Sequence, residues 1–194
     1  RFPPRRLAAS VSLLLSRALG AAPTAGLTPL PTAPSPVFVV SGGTRGIGRE
    51  VARQLLLRTE AKAIYVLGRG ASDEALRGLP EESAKKLRPI VCDLEDQASI
   101  ESAAAAILEQ EKHLDGLFNI AGVLGDSTTT PGPERSLAQV DRDWMIRTLQ
   151  LNTVSHVMLT QALQPLIRAA GKDKRTPRIM NLSARVGSIG DNGL

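Results

Sequence analysis

From Val37 onward, short apolar runs alternate with stretches in which apolar residues recur every three or four positions. The runs Val37–Val40, Ala63–Leu67, Arg88–Cys92, Gly116–Ile120 and Arg178–Leu182 predict strands, while Gly46–Arg58, Gln97–Glu111 and Asp141–Ala170 predict helices. This is a βαβ rhythm. Right-handed crossovers would carry each helix over the strands it joins, so the expected fold class is α/β, a doubly wound parallel sheet with helices on both faces. The Thr-, Pro- and Gly-rich stretch Gly125–Ser136 predicts a surface loop, and Gly171–Pro177 the turn that leaves the last helix. No internal repeat is visible.

The first 36 residues break this pattern. They are rich in Ala, Pro, Leu, Ser and Thr, carry Arg1, Arg5, Arg6 and Arg17, and hold no acid; the first acidic residue of the chain is Glu50. That composition predicts an organelle transit peptide, with a plastid favoured over a mitochondrion, or else a disordered leader. A secretory signal is disfavoured because Arg17 interrupts an already short apolar run. One domain is then expected by sequence: after the leader, 1–36, a single folded unit, 37–194, which is long enough for one good core.

Charge follows the same division. The formal net charge of +5 comes almost entirely from the leader, which leaves twenty basic and nineteen acidic residues from Val37 onward. A near-neutral body has no basic stripe for a phosphate backbone, and the few aromatic residues offer little for stacking on bases, so no nucleic-acid partner is expected. No segment reaches the roughly 18 uninterrupted apolar residues that a membrane span needs, so no membrane partner is expected either. The one cysteine, Cys92, rules out an intrachain disulfide and offers no metal-ligand spacing; it is expected as a small core residue, and no metal site is expected. His113 and His156 have no partner spacing for metal or triad chemistry and are assigned no role.

The chemistry lies where the first strand ends. Val37-Phe38-Val39-Val40 runs into Ser41-Gly42-Gly43-Thr44-Arg45-Gly46-Ile47-Gly48, a glycine-spaced turn that opens a helix. Without a Cβ, Gly42 and Gly46 reach backbone angles closed to other residues, and Gly48 lets the helix pack tightly on the sheet while amides point at a pyrophosphate. The expected ligand is a dinucleotide and the expected fold Rossmann-like.

Four further segments share a pattern with that turn. Cys92-Asp93-Leu94 ends a strand, Phe118-Asn119-Ile120-Ala121-Gly122 follows the central one, Leu151-Asn152-Thr153-Val154-Ser155 lies in the long helix, and Asn181-Leu182-Ser183 ends the fifth strand. In order and spacing the chain from Val37 to its end resembles the short-chain dehydrogenase/reductase family. The closing run Ser183-Ala184-Arg185-Val186-Gly187-Ser188-Ile189-Gly190-Asp191-Asn192-Gly193 is similar to a C-factor-like carbonyl reductase branch. The resemblance implies cofactor-binding roles for Ser41, Gly42, Thr44, Arg45, Gly46, Ile47, Gly48, Asp93, Leu94, Asn119, Ala121 and Gly122. Asp93 would take the adenine amino group, with capping of the following turn as the structural alternative. Asn119 would brace the central strand beside the cofactor.

Cofactor choice is argued from charge. An NAD site usually offers an acidic residue at the end of the second strand, but here Leu67-Gly68-Arg69 follows Tyr65-Val66. With no carboxylate at that position, Arg45 and Arg69 are placed to grip a 2′-phosphate, and NADP(H) is expected over NAD(H). The resemblance further implies hydride transfer between the nicotinamide and a carbonyl or alcohol, with Asn152 in a proton relay and Ser183 orienting the substrate. Many family members carry Ser-Ser where this chain has Ser183-Ala184.

The family's proton donor is a tyrosine in a Tyr-x-x-x-Lys motif, assisted because an unperturbed phenol, pKa about 10, is a poor base at neutral pH. The single tyrosine, Tyr65, lies in the second strand and does not match that position; Leu194 comes eleven residues after Ser183 with no such motif between them. The sequence, which begins with Arg rather than Met, is therefore expected to be a piece cut before the motif, without the last strands and helices of the family fold and inactive as it stands. The complete protein is expected to be a homo-oligomer through its long helix. A non-catalytic dinucleotide-binding or signalling module is the alternative.

Overall fold

The computed structural model describes residues 4–18, 33–70, 78–125, 134, 136–184, 187 and 190. Five parallel strands, β1 (Val37–Ser41), β2 (Ala63–Gly68), β3 (Leu87–Val91), β4 (Gly116–Asn119) and β5 (Arg178–Asn181), form one sheet in the order β3-β2-β1-β4-β5. The order reverses between β1 and β4. A reversal of this kind opens a crevice beyond the carboxyl ends of the strands, because the crossovers on its two sides leave to opposite faces. The fold is Rossmann-like α/β, as the alternating pattern implied.

Strand β1 shows why the runs are apolar throughout. Val37 and Val39 point to one face, where they meet Ile100 and Ile107 of the helix Gln97–Gln110 together with Leu159, Leu163 and Leu166. Phe38 and Val40 point to the other, against Val51, Ala52 and Leu55 of the helix Gly46–Arg58, and the Phe38 ring meets Phe118 edge-on at 6.0 Å. With both faces covered, neither set of alternating positions can be polar.

Helices are numbered α1 (Pro4–Ala18), α2 (Gly46–Arg58), α3 (Glu81–Ala84), α4 (Gln97–Gln110), α5 (Arg142–Leu149), α6 (Ser155–Ala162) and α7 (Gln164–Lys172). The long helix expected over Asp141–Ala170 is divided. A π-helical turn, Gln150–Val154, separates α5 from α6, and the chain breaks at Leu163 before α7. Pro165 explains the second break, since it has no N–H to offer the preceding turn and its ring crowds that turn's carbonyl. No proline or glycine marks the first; it carries Asn152, and π turns of this kind concentrate at functional positions.

Among the described residues two α-helices lie outside the sequence reading. One is α3, a single turn before β3. The other is α1, which belongs to the leader and seats Val11 and Leu15 on the α2 side of the core; Arg58, buried at the end of α2, donates to Ser12 Oγ at 2.8 Å and Ser16 Oγ at 3.4 Å. The loop expected over Gly125–Ser136 falls mostly outside the described residues, as do Arg185, Val186, Ser188, Ile189 and Asp191–Leu194 of the closing run.

Polar clamps close the sheet at its other end. The buried Asp115 carboxylate accepts from the Val37 N–H at 2.9 Å and from Arg175 Nη1 at 2.9 Å, joining the starts of β1 and β4 to the turn before β5. Glu111, whose side chain is fully buried, accepts from Lys62 Nζ at 2.6 Å and from the Tyr65 hydroxyl at 3.0 Å, and Arg88 donates to that hydroxyl. Tyr65 is thus spent within the sheet. Burial and the Glu111 carboxylate both push its phenol above the ordinary range.

Candidate functional site

The turn between β1 and α2 adopts the backbone that its glycines permit. Gly42 has a φ of +67°, and a Cβ there would stand 2.9 Å from Ala121 Cα; a Cβ on Gly48 would stand 2.2 Å from the Gly42 carbonyl oxygen. Each glycine is required by an approach no side chain allows. α2 begins after Arg45, whose side chain makes no capping hydrogen bond, and Gly46, Ile47 and Gly48 of its first turn line the crevice. Uncapped amides at a helix start form a natural seat for an anion.

That crevice is a cavity of about 310 Å³. Its walls bring together Gly42, Thr44, Arg45, Gly46, Ile47, Gly48, Arg69, Asp93, Leu94, Ala121 and Gly122, drawn from the ends of β1, β2, β3 and β4. These are eleven of the positions singled out in the sequence. A Cβ at Gly46 would meet nothing within 4 Å and would project from the wall into open space, which is the room a pyrophosphate needs. The cradle, its uncapped amides and two guanidinium groups fit a phosphorylated dinucleotide.

Four expected residues stand elsewhere. Ser41 is fully buried behind the wall, where its Oγ accepts from the amides of Ile120 and Ala121 at 3.1 and 3.3 Å. It braces the loop after β4 and does not face the cavity. Asn119 is likewise fully buried and donates to Asn181 Oδ1 at 2.8 Å, linking β4 to β5. Asn152 and Ser183 are not among the residues that line this cavity. Asn152 borders a second, wider cavity of about 700 Å³ with His156, Thr160, Asn181 and Leu182, and Ser183 follows directly on Leu182 with its side chain exposed.

Asp93 serves the alternative that the sequence left open: one carboxylate oxygen accepts from the Glu95 amide at 3.0 Å and closes the turn after β3, while the residue also lines the cavity. Cys92 is buried beside it, and burial pushes its thiol up to about 11. His156 is buried with Nε2 2.9 Å from the Ala121 carbonyl oxygen, so it donates there and supports the same loop. Burial lowers its pKa below the ordinary 6.5.

Five lining residues, Gly68, Cys92, Glu95, Ile120 and Leu151, were not expected at the cavity, and Glu95 is the charged one among them. Glu95 reaches it from the end of β3, with Oε2 3.9 Å from Arg69 Nη1, so a carboxylate does stand near the second strand's end, although that strand supplies none. The register that sets Gly68 beside Val91 brings the two segments together, and no local pattern announces it. Glu95 is also held by Arg147 of α5 through two hydrogen bonds, Nε to Oε1 at 2.7 Å and Nη2 to Oε2 at 3.1 Å.

A model of the short chain dehydrogenase family matches residues 36–193. The chain belongs to this family of oxidoreductases. Among curated relatives it is 29% identical over 157 residues to the 3-oxoacyl-[acyl-carrier-protein] reductase FabG of Haemophilus influenzae, covering 81% of this chain and 58% of that protein. It superposes on the NADPH-bound carbonyl reductase from chicken fatty liver with a TM-score of 0.68 at 24% identity, covering 84% of this chain and 64% of that one, a likeness of fold. On a single-site variant of the actinorhodin polyketide ketoreductase with NADPH the TM-score is 0.60 at 26% identity, covering 79% and 54%. The chain spans about half the length of the first curated relatives it matches. Among the described residues no helix is long and apolar enough to cross a membrane, and no group of three or more His, Cys, Asp or Glu side chains is placed to hold a metal ion.

Proposed function

We propose that the protein of which this chain forms the dinucleotide-binding part is an NADP(H)-dependent oxidoreductase acting on a small carbonyl or alcohol substrate. The observation that carries this reading is the single cavity in which the uncapped start of α2, the glycine turn, Arg45 and Arg69 converge. The amides of the turn bind the pyrophosphate, and the two arginines grip a 2′-phosphate through charge-assisted hydrogen bonds, each contributing roughly 1.5–3 kcal/mol. Asp93 and Leu94 flank the adenine. Ala121 and Gly122 lie beside the nicotinamide half, Asn152 at the second cavity joins the proton relay, and Ser183, next to Leu182 of that cavity, orients the substrate oxygen. When bound, the nicotinamide supplies or accepts the hydride. That the relatives with bound NADPH share this fold supports the choice of cofactor.

The test is direct titration with NADPH and NADH. Wild-type protein should prefer NADPH by tenfold or more, and Arg69→Asp should abolish the preference; an unchanged ratio would overturn the assignment. NADPH oxidation by the natural full-length protein over a panel of aldehydes and ketones tests the activity.

One observation favours a second reading, a non-catalytic dinucleotide-binding module. Tyr65 is locked between Arg88 and Glu111 inside the sheet, where its hydroxyl serves the fold and not the cavity. Tight NADPH binding without turnover by the full-length protein would select it. Self-association in solution is proposed from the exposed Met145, Ile146, Leu149, Val154 and Val157 on and beside α5 and α6. Import of residues 1–36 fused to a reporter tests the organelle assignment, plastid ahead of mitochondrion.

A further inference from the structure

Three charged side chains meet at the edge of the first cavity. Arg69 and Glu95 line it, and Arg147 stands behind them on α5. Glu95 is the least exposed of the three, at 23% for its side chain against 59% for Arg69 and 41% for Arg147. Its carboxylate has two guanidinium neighbours and a clear order of preference: both oxygens are forked by Arg147 at 2.7 and 3.1 Å, whereas Arg69 stays 3.9 Å away. The Arg147 guanidinium is itself fixed over the Trp144 ring, 5.5 Å from its centroid. A planar fork stacked on an aromatic face is ordered before any ligand arrives.

The consequence concerns the anion that Arg69 can hold. A carboxylate paired with Arg69 would occupy the donors that a 2′-phosphate needs and would repel the phosphate; it would also offer a free ribose 2′-hydroxyl an acceptor. Once paired with Arg147, the same carboxylate is neutralised and Arg69 is left to the phosphate. We propose that Glu95 is a selectivity residue for the adenosine ribose and that Arg147 is the positioning residue that decides which way it acts, by drawing its carboxylate off Arg69. This rests on the 2′-phosphate reading of the same cavity and assigns to two further residues, one of them outside the cavity, control over it.

Removing Arg147 releases Glu95 to Arg69, so selectivity should move toward the unphosphorylated ribose. Removing the charge of Glu95 should move it the other way. Because the proposed action of Arg147 on selectivity runs through Glu95, its loss should leave the affinity ratio unchanged once Glu95 is neutral. This dependence separates positioning from mere support of α5, whose loss would weaken both ligands alike.

The experiment is calorimetric titration of the full chain with adenosine 2′,5′-bisphosphate and with 5′-AMP, which probe the adenosine half alone. The ratio of their affinities is measured in wild type, Arg147→Met, Glu95→Gln and the double variant, with Arg69→Asp as the control. Arg147→Met should lower the ratio about tenfold, Glu95→Gln should raise it several-fold, and the double variant should match Glu95→Gln. Quenching or release of the sole tryptophan, Trp144, gives a second readout, because it reports whether Arg147 stays stacked when the bisphosphate binds. If Arg69→Asp leaves the ratio unchanged, the 2′-phosphate reading itself fails. If Arg69→Asp lowers the ratio while Arg147→Met and Glu95→Gln leave it unchanged, or if Arg147→Met weakens both ligands equally, the present inference is overturned and that reading stands. Should Arg147→Met not fold, Glu95→Gln decides alone: an unchanged ratio in that variant overturns the proposal.

Discussion

The side-chain amide of Asn152 satisfies both backbone groups of Val123: the Val123 N–H donates to Oδ1 at 2.8 Å, and Nδ2 donates to the Val123 carbonyl at 2.7 Å. An asparagine in a helix here acts as a strand partner for a loop. The π turn presents it, and the loop it holds carries Ala121 and Gly122 at the cavity wall.

Losing that pair should loosen the loop more than the fold. Asn152→Ala is expected to cost about 1 kcal/mol of stability, since both groups lie near solvent that can replace the bonds, and to weaken NADPH binding several-fold. Asn152→Asp keeps the acceptor but sets a carboxylate against the Val123 carbonyl, so it should do no better than Ala. Urea unfolding and cofactor titration check both; NADPH affinity unchanged in Asn152→Ala would show that the loop is held by other contacts.

Gly48 and Gly46 should fail in different ways. A Cβ on Gly48 meets backbone at 2.2 Å, so Gly48→Ala must displace the turn and is expected to cost up to about 3 kcal/mol, as overpacking does. A Cβ on Gly46 meets nothing; Gly46→Ala should cost only the left-handed backbone penalty of about 1–2 kcal/mol while obstructing the cleft. Thermal unfolding with and without NADPH separates them: Gly46→Ala should keep most of its stability and lose the stabilisation by cofactor.

Stability should fall in mild acid through His156. Burial depresses its pKa below the ordinary 6.5, so in that window the unfolded chain binds a proton that the folded chain refuses. Its contribution is complete above about pH 6.5 and declines as pH drops toward the folded value, by at most about 1.4 kcal/mol per pH unit. His156→Gln, which retains a donor for the Ala121 carbonyl, should flatten that slope in urea titrations between pH 5 and 7; an identical slope would assign the effect to other groups.

The leader helix contributes to the folded unit. Leu15 is fully buried against the α2 side of the core, so Leu15→Ala should destabilise by about 2–5 kcal/mol, the usual cost of such a truncation. Unfolding midpoints measured on the full chain test this. No change would mean that α1 does not rest on α2 in solution.

The apolar runs, the glycine turn and the segments at the strand ends were legible because each expresses a local rule: period two or continuous burial for strands, absent Cβ atoms for a close turn, a polar residue where a strand meets a ligand. These rules sufficed for the α/β class, for the five strands to within a residue or two, for the bounds of α2 and for most of the cavity wall. What they could not express depends on registers between distant segments. Ser41 and Asn119 carry polar groups suited to a ligand, yet each is consumed by neighbouring backbone or by Asn181. The π turn has no breaker residue to announce it. Glu95 becomes part of the cavity only because β2 and β3 pair in parallel and end together, which places a carboxylate from one strand end beside the arginine from the other. Charges interact through space, and which charges are neighbours is decided by the sheet, so the sequence by itself determined the cradle while the tertiary structure alone decided which side chains surround its anion.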